Sequence, residues 1–390
     1  MTLIFSRGFS VRTLLGASLL LLLVACASSD NSEPPAPLTD IENGLRFDQL
    51  WATETGAGIS AGSYNRQPLL VGSEIFTVDI DGLIKNIDAK SGKVKWDAET
   101  GIQSITGLSG NDEIIVASSR NGELNIYDRI NHDLKLRWSV KLKGEIRSAP
   151  VIGADRLFIR TVDGRLSSIS MNDGSIQWTV SHLVPALSLT GNSAAILYDE
   201  LVIAGFDDGK IAAFDQANGQ VVWEVVVGQP TGRSEIERLV DIDGQFVIRN
   251  GVIYVSSYQG RLAAIQVING EELWSRSFSS FNSMTIDDNA IYISDDTSHL
   301  WSIDRRTGSA LWKQDVLHAR KISAPLLFED KIIVGDVHGY VHWFNQLDGA
   351  LIGRLRPSYK RHYSTPFHWD NNIFAMDSDG ILSSFKMIQK

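Results

Sequence analysis

Residues 215–223 read DQANGQVVW, and near-copies of this stretch recur along the chain. Residues 304–312 read DRRTGSALW, and residues 88–96 read DAKSGKVKW. In each copy a polar turn containing a glycine joins two short runs in which apolar and polar residues alternate. Alternation with a period of two is typical of β-strands, and glycine supplies the positive φ that tight turns need. The stretch therefore predicts a hairpin that ends on a tryptophan.

Upstream of each hairpin lie two further short strands, so the whole unit has four strands and recurs about every 40 residues. Seven units align in full, and an eighth at residues 373–387 stops before its fourth strand. Three units depart in detail. The second has a longer turn without glycine at residues 128–138, another has Ser298 in place of a turn glycine, and another has Gly353 in place of a tryptophan. The repeat predicts an all-β fold, an eight-bladed β-propeller with four antiparallel strands in each blade.

Trp51 has no such unit before it. Residues 46–55, RFDQLWATET, alternate like a fourth strand, and the eighth unit lacks its fourth strand. We therefore predict that the N-terminal strand completes the last blade and closes the ring, which removes an exposed sheet edge. The recurring tryptophans are interpreted as packing residues between neighbouring blades. They are Trp51, Trp96, Trp138, Trp178, Trp223, Trp274 and Trp312.

The N-terminus has the pattern of a secretory signal. Arg7 and Arg12 precede an apolar run at residues 14–25 that is too short to span a bilayer comfortably. The run ends at Cys26, the only cysteine in 390 residues. Residues 23–26, LVAC, resemble the lipobox at which bacterial lipoproteins are lipidated and cleaved. We expect Cys26 to carry the lipid; the alternative is an ordinary signal followed by an incidental cysteine.

These features divide the chain into three segments. Residues 1–25 are the expected signal peptide, residues 26–45 a lipidated cysteine with a flexible, proline-rich tether, and residues 46–390 the propeller. No aspartate follows the cysteine directly, which by resemblance to other lipoproteins implies an outer-membrane anchor facing the periplasm. Loss of the signal, which holds two arginines and no acid, would take the net charge from −10 to −12. A body this acidic as a whole is predicted to be a poor binder of nucleic acid and of anionic lipid.

The repeated hairpin resembles the tryptophan-docking motif of the quinoprotein (PQQ-type) propellers, Ala-x-Asp-x-x-(Thr/Ser/Asn)-Gly-x-x-x-Trp. In one unit the matching residues are Ala213, Asp215, Asn218, Gly219 and Trp223. That resemblance would imply a dehydrogenase holding its quinone over calcium. However, Asp79 and Asp81 are spaced as turn residues rather than as a calcium loop. His338 and His342 have helical zinc spacing but fall at a strand. We predict no metal, no cofactor and no enzyme. The alternative is a propeller like the PQQ-dependent periplasmic dehydrogenases, or one that binds another ligand.

A lipid-anchored, acidic propeller with these repeats resembles the BamB family, the propeller lipoproteins of the outer-membrane β-barrel assembly machinery. The resemblance covers the chain from the lipobox to the last unit. It implies a non-catalytic scaffold that docks on a periplasmic POTRA domain of the insertase BamA and joins the other lipoproteins of the complex through it. Direct binding of unfolded outer-membrane protein precursors is a second hypothesis within this interpretation.

Two stretches interrupt the repeat, at residues 183–194 and 231–244. In the BamB family the corresponding loops lie together and contact a POTRA domain. The resemblance makes Leu187 and Leu189 apolar anchors, with polar contacts from Arg238, Asp241 and Asp243. Thr190 stands where family members carry arginine. From the residues alone, the leucines could instead line their own blade, and Arg238 could pair within its loop.

Overall fold

The computed structural model describes residues 33–41, 44–58, 66–103, 106–130, 133–185, 193–229, 233–234, 239–362 and 364–388. These residues contain 32 strands. They include no helix long and apolar enough to cross a membrane. The strands all lie within one compact unit, Ala36–Lys390.

The strands form eight antiparallel sheets of four, which follow one another along the chain as blades. Strand β1 (Arg46–Glu54) comes first and belongs to the last blade. Blade one contains β2 (Leu69–Val71), β3 (Glu74–Val78), β4 (Leu83–Asp88) and β5 (Val94–Glu99). Blade two contains β6 (Ser109–Gly110), β7 (Ile114–Ser118), β8 (Glu123–Ile130) and β9 (Asp133–Lys141). Blade three contains β10 (Val151–Ile152), β11 (Arg156–Thr161), β12 (Arg165–Ser170) and β13 (Ile176–Ser181). Blade four contains β14 (Ile196–Tyr198), β15 (Leu201–Gly205), β16 (Lys210–Asp215) and β17 (Val221–Val226).

The second half of the ring repeats the pattern. Blade five contains β18 (Val247–Arg249), β19 (Val252–Ser256), β20 (Gly260–Gln266) and β21 (Glu272–Phe278). Blade six contains β22 (Thr285–Ile286), β23 (Ala290–Ser294), β24 (Leu300–Asp304) and β25 (Ala310–Gln314). Blade seven contains β26 (Leu326–Phe328), β27 (Lys331–Gly335), β28 (Val341–Asn345) and β29 (Leu351–Leu355). Blade eight contains β30 (Phe367–Trp369), β31 (Asn372–Met376), β32 (Ile381–Ile388) and β1.

The ring is closed by its N-terminal strand. Strand β1 pairs antiparallel with β32, from Arg46 opposite Ile388 to Glu54 opposite Ile381. The predicted fold class, including this closure, is therefore confirmed. The two ends of the chain share one sheet, so strands far apart in sequence depend on each other for their hydrogen bonds.

The core consists of eight apolar clusters, each between two consecutive blades. One example joins blades four and five through Ile203, Ile211, Ile253 and Val255. Each blade thus buries both faces against its neighbours, and removing apolar area from water stabilises it by about 25 cal/mol per Å². No blade can bury both faces alone.

We call the turn between the third and fourth strands of a blade its third turn. Most of the blade tryptophans contact the glycine in the third turn of the next blade. The pairs are Trp51 with Gly92, Trp138 with Gly174, Trp178 with Gly219, Trp223 with Gly270, Trp274 with Gly308 and Trp312 with Gly349. In five of these pairs the indole N–H donates to a backbone carbonyl of the same turn, namely that of Met171, Gln216, Val267, Arg305 or Gln346. The turn glycines have positive φ and leave no space for a Cβ, so the motif requires glycine on two grounds.

Gly353 replaces a tryptophan for a reason that lies in the closure. A tryptophan at position 353 would pack on the third turn of blade eight, as the other tryptophans pack on the next blade. Blade eight has no such turn, because its last two strands, β32 and β1, come from opposite ends of the chain. Phe47 of β1 occupies the space instead, with its ring centroid 4.0 Å from that of Trp343. A Cβ on Gly353 would lie 2.9 Å from the Phe47 ring. The departure at Ser298 has a different basis. The turn is present there, and the serine itself adopts the positive φ, +71°, that glycine supplies in the other turns.

The packed part of the chain begins earlier than the sequence boundary at residue 46. Ala36 donates its N–H to the carbonyl of His318 at 3.0 Å and accepts from Arg320 Nη1 at 3.0 Å. Arg354 Nη1 donates to the carbonyl of Thr39 at 3.0 Å. Residues 36–41 are therefore bound to blades six and seven and do not belong to a flexible tether. The bonds use main-chain carbonyls, which composition cannot reveal.

We expect acid to destabilise the propeller through a buried histidine, His362. Burial lowers the pKa of this imidazole below its ordinary value, although the carbonyl of Met376 favours the protonated form. In the unfolded chain the imidazole is protonated near pH 6.5, whereas in the folded chain it is protonated only at lower pH. Folding stability is therefore lost as the pH falls below about 6.5. Thermal midpoints at about pH 7.5 and 5.5 should show a fall that is smaller in His362→Gln. The exposed His368 gives the matched control, and equal pH dependence of wild type, His362→Gln and His368→Gln would contradict the assignment.

Candidate partner-binding surface

The described stems of both interrupting loops lie at one end of the propeller. Successive strands run in opposite directions, so the turn between the second and third strands shares an end with the connection to the next blade. The contacts agree, because Gly164 in such a turn lies against the carbonyl of His182, and Gly339 against that of Ser358. We call this the connector end. The connections from blade three to four and from blade four to five, which hold the two loops, are neighbours there.

Four of the expected contact residues, Leu187, Leu189, Thr190 and Arg238, lie outside the described residues, as does Cys26. What the structure gives is the part of each loop that joins its blade. Ser193 donates its hydroxyl to the carbonyl of Ile242 at 2.7 Å. Gln245 binds Ala194 twice, accepting from its N–H at 3.0 Å and donating to its carbonyl at 3.1 Å. The C-terminal stems of the two loops are thus bonded side by side.

A buried ion pair fixes these stems to the blades. Arg160, on β11, donates from Nη2 to Asp207 Oδ1 at 2.6 Å, and from Nη1 to the Ser193 hydroxyl at 3.1 Å. Both charged side chains are almost completely buried. In a site of low dielectric a paired, hydrogen-bonded charge is costly to disrupt. Arg160, Ser193 and Ile242 therefore form a continuous link from blade three to both stems.

Asp241 and Asp243, which the resemblance made polar contacts, differ in their surroundings. Asp241 is fully buried between the buried Val240 and Ile242, and its carbonyl accepts from the N–H of Tyr258 at 2.9 Å. It offers no surface to a partner in this conformation, so we interpret it as a residue that holds the second loop in place. Asp243 is half-buried and borders the surface.

Apolar side chains that the sequence interpretation did not single out are exposed around these stems. Leu183, at the start of the first loop, is 88% exposed, and Val184 beside it is also exposed. Phe281, in the connection from blade five to six, is exposed and lies 6.5 Å from the Tyr258 ring. Leu183 and Val184 are adjacent in the chain, and exposed apolar groups close together are typical of protein interaction sites. For Leu183 and Val184, the sequence signal was an apolar pair within the connection between two blades, where no strand would bury it.

The described residues give no support for a metal centre. They contain no group of three or more histidine, cysteine, aspartate or glutamate side chains that could hold an ion. His342 is fully buried, with Nε2 3.0 Å from Asp336 Oδ2, and Arg320 pairs with the same carboxylate at 2.7 Å. Burial would raise the pKa of Asp336, but the hydrogen bond with His342, the Tyr340 N–H and Arg320 lower it to about 2. His342 is thus part of a structural ion-pair cluster.

Asp79 has the role of a turn residue. Its Oδ1 accepts the N–H groups of Asp81 at 3.0 Å and Leu83 at 2.8 Å, which closes the turn of blade one. A carboxylate engaged in this way stabilises the backbone that follows it.

The fold and the candidate site together define a class of protein. It is an eight-bladed propeller with quinoprotein-type repeats, and its candidate site lies at the connector end.

The particular family follows from comparison with known proteins. The family model described as outer membrane protein assembly factor BamB matches residues 80–314, and the chain belongs to this family. The BamB of Salmonella typhimurium is 31% identical over 88% of this chain and 90% of that protein. The crystal structure of BamB from Moraxella catarrhalis gives a TM-score of 0.77 at 24% identity, covering 87% of this chain and 100% of that one.

A quinohemoprotein alcohol dehydrogenase from Comamonas testosteroni gives a TM-score of 0.69 at 10% identity, covering 88% of this chain and 78% of that one. A likeness at so low an identity shows a common fold and nothing of activity. The repeats that the two share therefore account for the resemblance to the quinoprotein motif.

Proposed function

We propose that the protein is a non-catalytic scaffold of outer-membrane protein assembly. A lipid on Cys26 would hold it at the outer membrane, facing the periplasm, and the connector end would dock on a POTRA domain of BamA. Through BamA it would stand beside the other lipoproteins of the complex. The observation that supports the proposal is the hydrogen bond between the two loop stems at Ser193 and Ile242, because a partner could then contact both candidate loops at once. Membership of the BamB family supports the same function.

The proposed interface has an apolar centre and a polar rim. Leu187 and Leu189 would be its anchors, with Arg238 and Asp243 at the rim. Thr190 would lack the charge of the arginine that family members carry. Loops held by a rigid scaffold lose less conformational entropy on binding than free loops. The buried pair of Arg160 and Asp207 supplies that rigidity, so binding would fix little beyond the loop tips.

Unfolded precursors are a second proposed partner, through the outer strands. Several fourth strands carry exposed apolar side chains, among them Val221, Val222 and Leu311. Such a strand offers unpaired backbone groups on one edge, to which an extended chain can add. This contact would lie on the rim of the ring, away from the connector end, so the two partners would not compete for one surface.

Truncation of the loop leucines is expected to abolish capture of the insertase. Leu187→Ala/Leu189→Ala should lower recovery of a BamA-like barrel protein from detergent-solubilised membranes at least tenfold, because apolar anchors are each worth about 2 kcal/mol or more. The matched control is Ile268→Ala/Leu347→Ala, which removes two exposed apolar side chains from third turns at the opposite end. Melting curves should first show that each variant is folded.

Equal recovery by the loop variant and wild type would move the site elsewhere on the propeller. If wild type captured no barrel protein at all, the assembly function itself would be wrong. Added PQQ and calcium would then be the next test, with a calcium-dependent absorbance change as the mark of a quinone enzyme. An unfolded barrel precursor used as bait should still bind the loop variant, since the outer strands are unchanged.

A further inference from the structure

One connection of this acidic protein is basic. Residues 349–369 contain no aspartate or glutamate, yet they hold Arg354, Arg356, Lys360 and Arg361, in a chain whose net charge is −10. Most of this segment is the connection from blade seven to blade eight at the connector end. By position in the ring it lies opposite the connection from blade three to four. Its charge is therefore separate from the proposed BamA-binding loops.

The exposed side chains of this connection are arranged around an aromatic ring. Tyr359 is 80% exposed, and the guanidinium carbon of Arg356 lies 4.0 Å from its ring centroid and 4.6 Å from that of Tyr340. Lys360 is exposed beside them, with Nζ 3.1 Å from the exposed carboxylate of Asp379. Cation–π stacking holds Arg356 in place without neutralising it. We call Arg356, Tyr359 and Lys360 the basic-aromatic surface.

The N-terminal segment is bound directly beside this surface. Arg354, two residues before Arg356, donates to the carbonyl of Thr39, and Arg320 donates to that of Ala36. Cys26 is ten residues upstream of Ala36 in the sequence. An extended chain spans at most about 3.6 Å per residue, so a lipid on Cys26 would keep Ala36 within about 36 Å of the bilayer. With Cys26 lipidated, the basic-aromatic surface would therefore be within reach of the membrane.

We propose that the basic-aromatic surface binds anionic phospholipid headgroups next to the lipid anchor. Arginine and lysine near a bilayer are attracted to anionic headgroups, and tyrosine is favoured at the boundary between headgroups and hydrocarbon. A lipid surface is favoured over a protein partner, because the described residues 356–362 and 364–366 expose cations around one ring and no aliphatic centre of the kind protein interfaces have. The inference rests on the expected lipid anchor and not on docking to BamA.

The test uses the exported, lipid-carrying protein in vesicles, after mass spectrometry of the N-terminal peptide has shown the lipid. The vesicles contain phosphatidylcholine, with or without about one third phosphatidylglycerol, and a trace of anionic phospholipid with a photoreactive headgroup. In the anionic vesicles, adducts should map to the peptide with Arg356 and Lys360. Arg356→Glu/Lys360→Glu should lower their yield about tenfold or more, and Arg356→Gln/Lys360→Gln by less. About 0.5 M salt should reduce the wild-type yield, since salt screens exposed charges.

The matched control is Lys90→Glu/Lys93→Glu, which makes the same charge change at exposed sites on the opposite end. It should leave the adducts unchanged. Adducts that are equal in both vesicle types, or unaffected by charge reversal, would mean that the anchor alone sets the distance to the membrane and would overturn the proposal. Loss of BamA capture in Arg356→Glu/Lys360→Glu with unchanged adducts would assign the surface to a protein and overturn it too. Failure of BamA capture by wild type would leave the lipid result unaffected.

Discussion

Replacement of Gly92 by alanine is expected to lower the free energy of unfolding by about 3 kcal/mol or more, whereas Gly72→Ala should cost only about 1 kcal/mol. Both glycines lie in turns of blade one and both have a positive φ, +70° and +58°. They differ in their neighbours. A Cβ on Gly92 would overlap the indole of Trp51, whereas no atom lies within 4 Å of a Cβ on Gly72.

The difference in the free energy of unfolding between the two variants measures how much the contact at the closure of the ring contributes to stability. Trp51 is on β1, so displacing its indole disturbs the blade that joins both ends of the chain. Urea unfolding, followed by tryptophan fluorescence and by far-ultraviolet circular dichroism, measures both variants. An equal loss of stability in Gly92→Ala and Gly72→Ala would show that backbone strain explains both, and that contact of Trp51 with blade one contributes little.

Arg160→Met is expected to lower the free energy of unfolding by about 3–5 kcal/mol, because it leaves Asp207 buried without its charge partner. Arg160→Met/Asp207→Leu should recover most of this loss, since apolar side chains of similar volume often replace a buried pair without cost. Arg249→Met is the matched control. Arg249 pairs with Asp288 at 2.5 Å on the surface, and such pairs contribute about 1 kcal/mol or less.

The double variant also separates stability from function. It removes the guanidinium that binds Ser193, so the stems of both loops would lose their link to blade three. Urea midpoints give the stability, and recovery of the BamA-like protein gives the function. We expect the double variant to be folded but to capture several-fold less. Capture at the wild-type level would show that the stems keep their position without Arg160, and a stable Arg160→Met variant would contradict the cost assigned to the unpaired carboxylate.

The repeat made the architecture predictable from sequence, since strand alternation, turn glycines and tryptophans all carry local signals. The closure followed from the same pattern, because Trp51 needed a blade and the eighth unit needed a strand. The pattern left Gly353 unexplained. Gly353 is explained by the missing turn in blade eight and by the ring of Phe47, which occupies the space. Phe47 and Gly353 are more than 300 positions apart in the sequence, so no local pattern could reveal this contact.

The candidate site was predictable only in part, for physical reasons. Arg160 and Asp207 meet across neighbouring blades, and the only local signal was an arginine within an apolar strand. Asp241 and Asp243 with Gly244 have the residue types of a surface turn, but Asp241 forms a β-bridge with Tyr258 and is buried. Residues 36–41 have the composition of a tether, yet arginines bind their carbonyls. Composition reports side chains, whereas these contacts depend on the backbone and on distant partners.

The pairing of β1 with β32 sets the order of events during biogenesis. Strand β1 is synthesised before every other strand, but its partner β32 begins at Ile381, more than 300 residues later. Strand β1 must therefore wait, unpaired, while blades one to seven form behind it. Contacts between such distant segments form slowly, and an unpaired strand edge is prone to wrong association. The interval before closure is therefore the time at which the chain is most prone to wrong association.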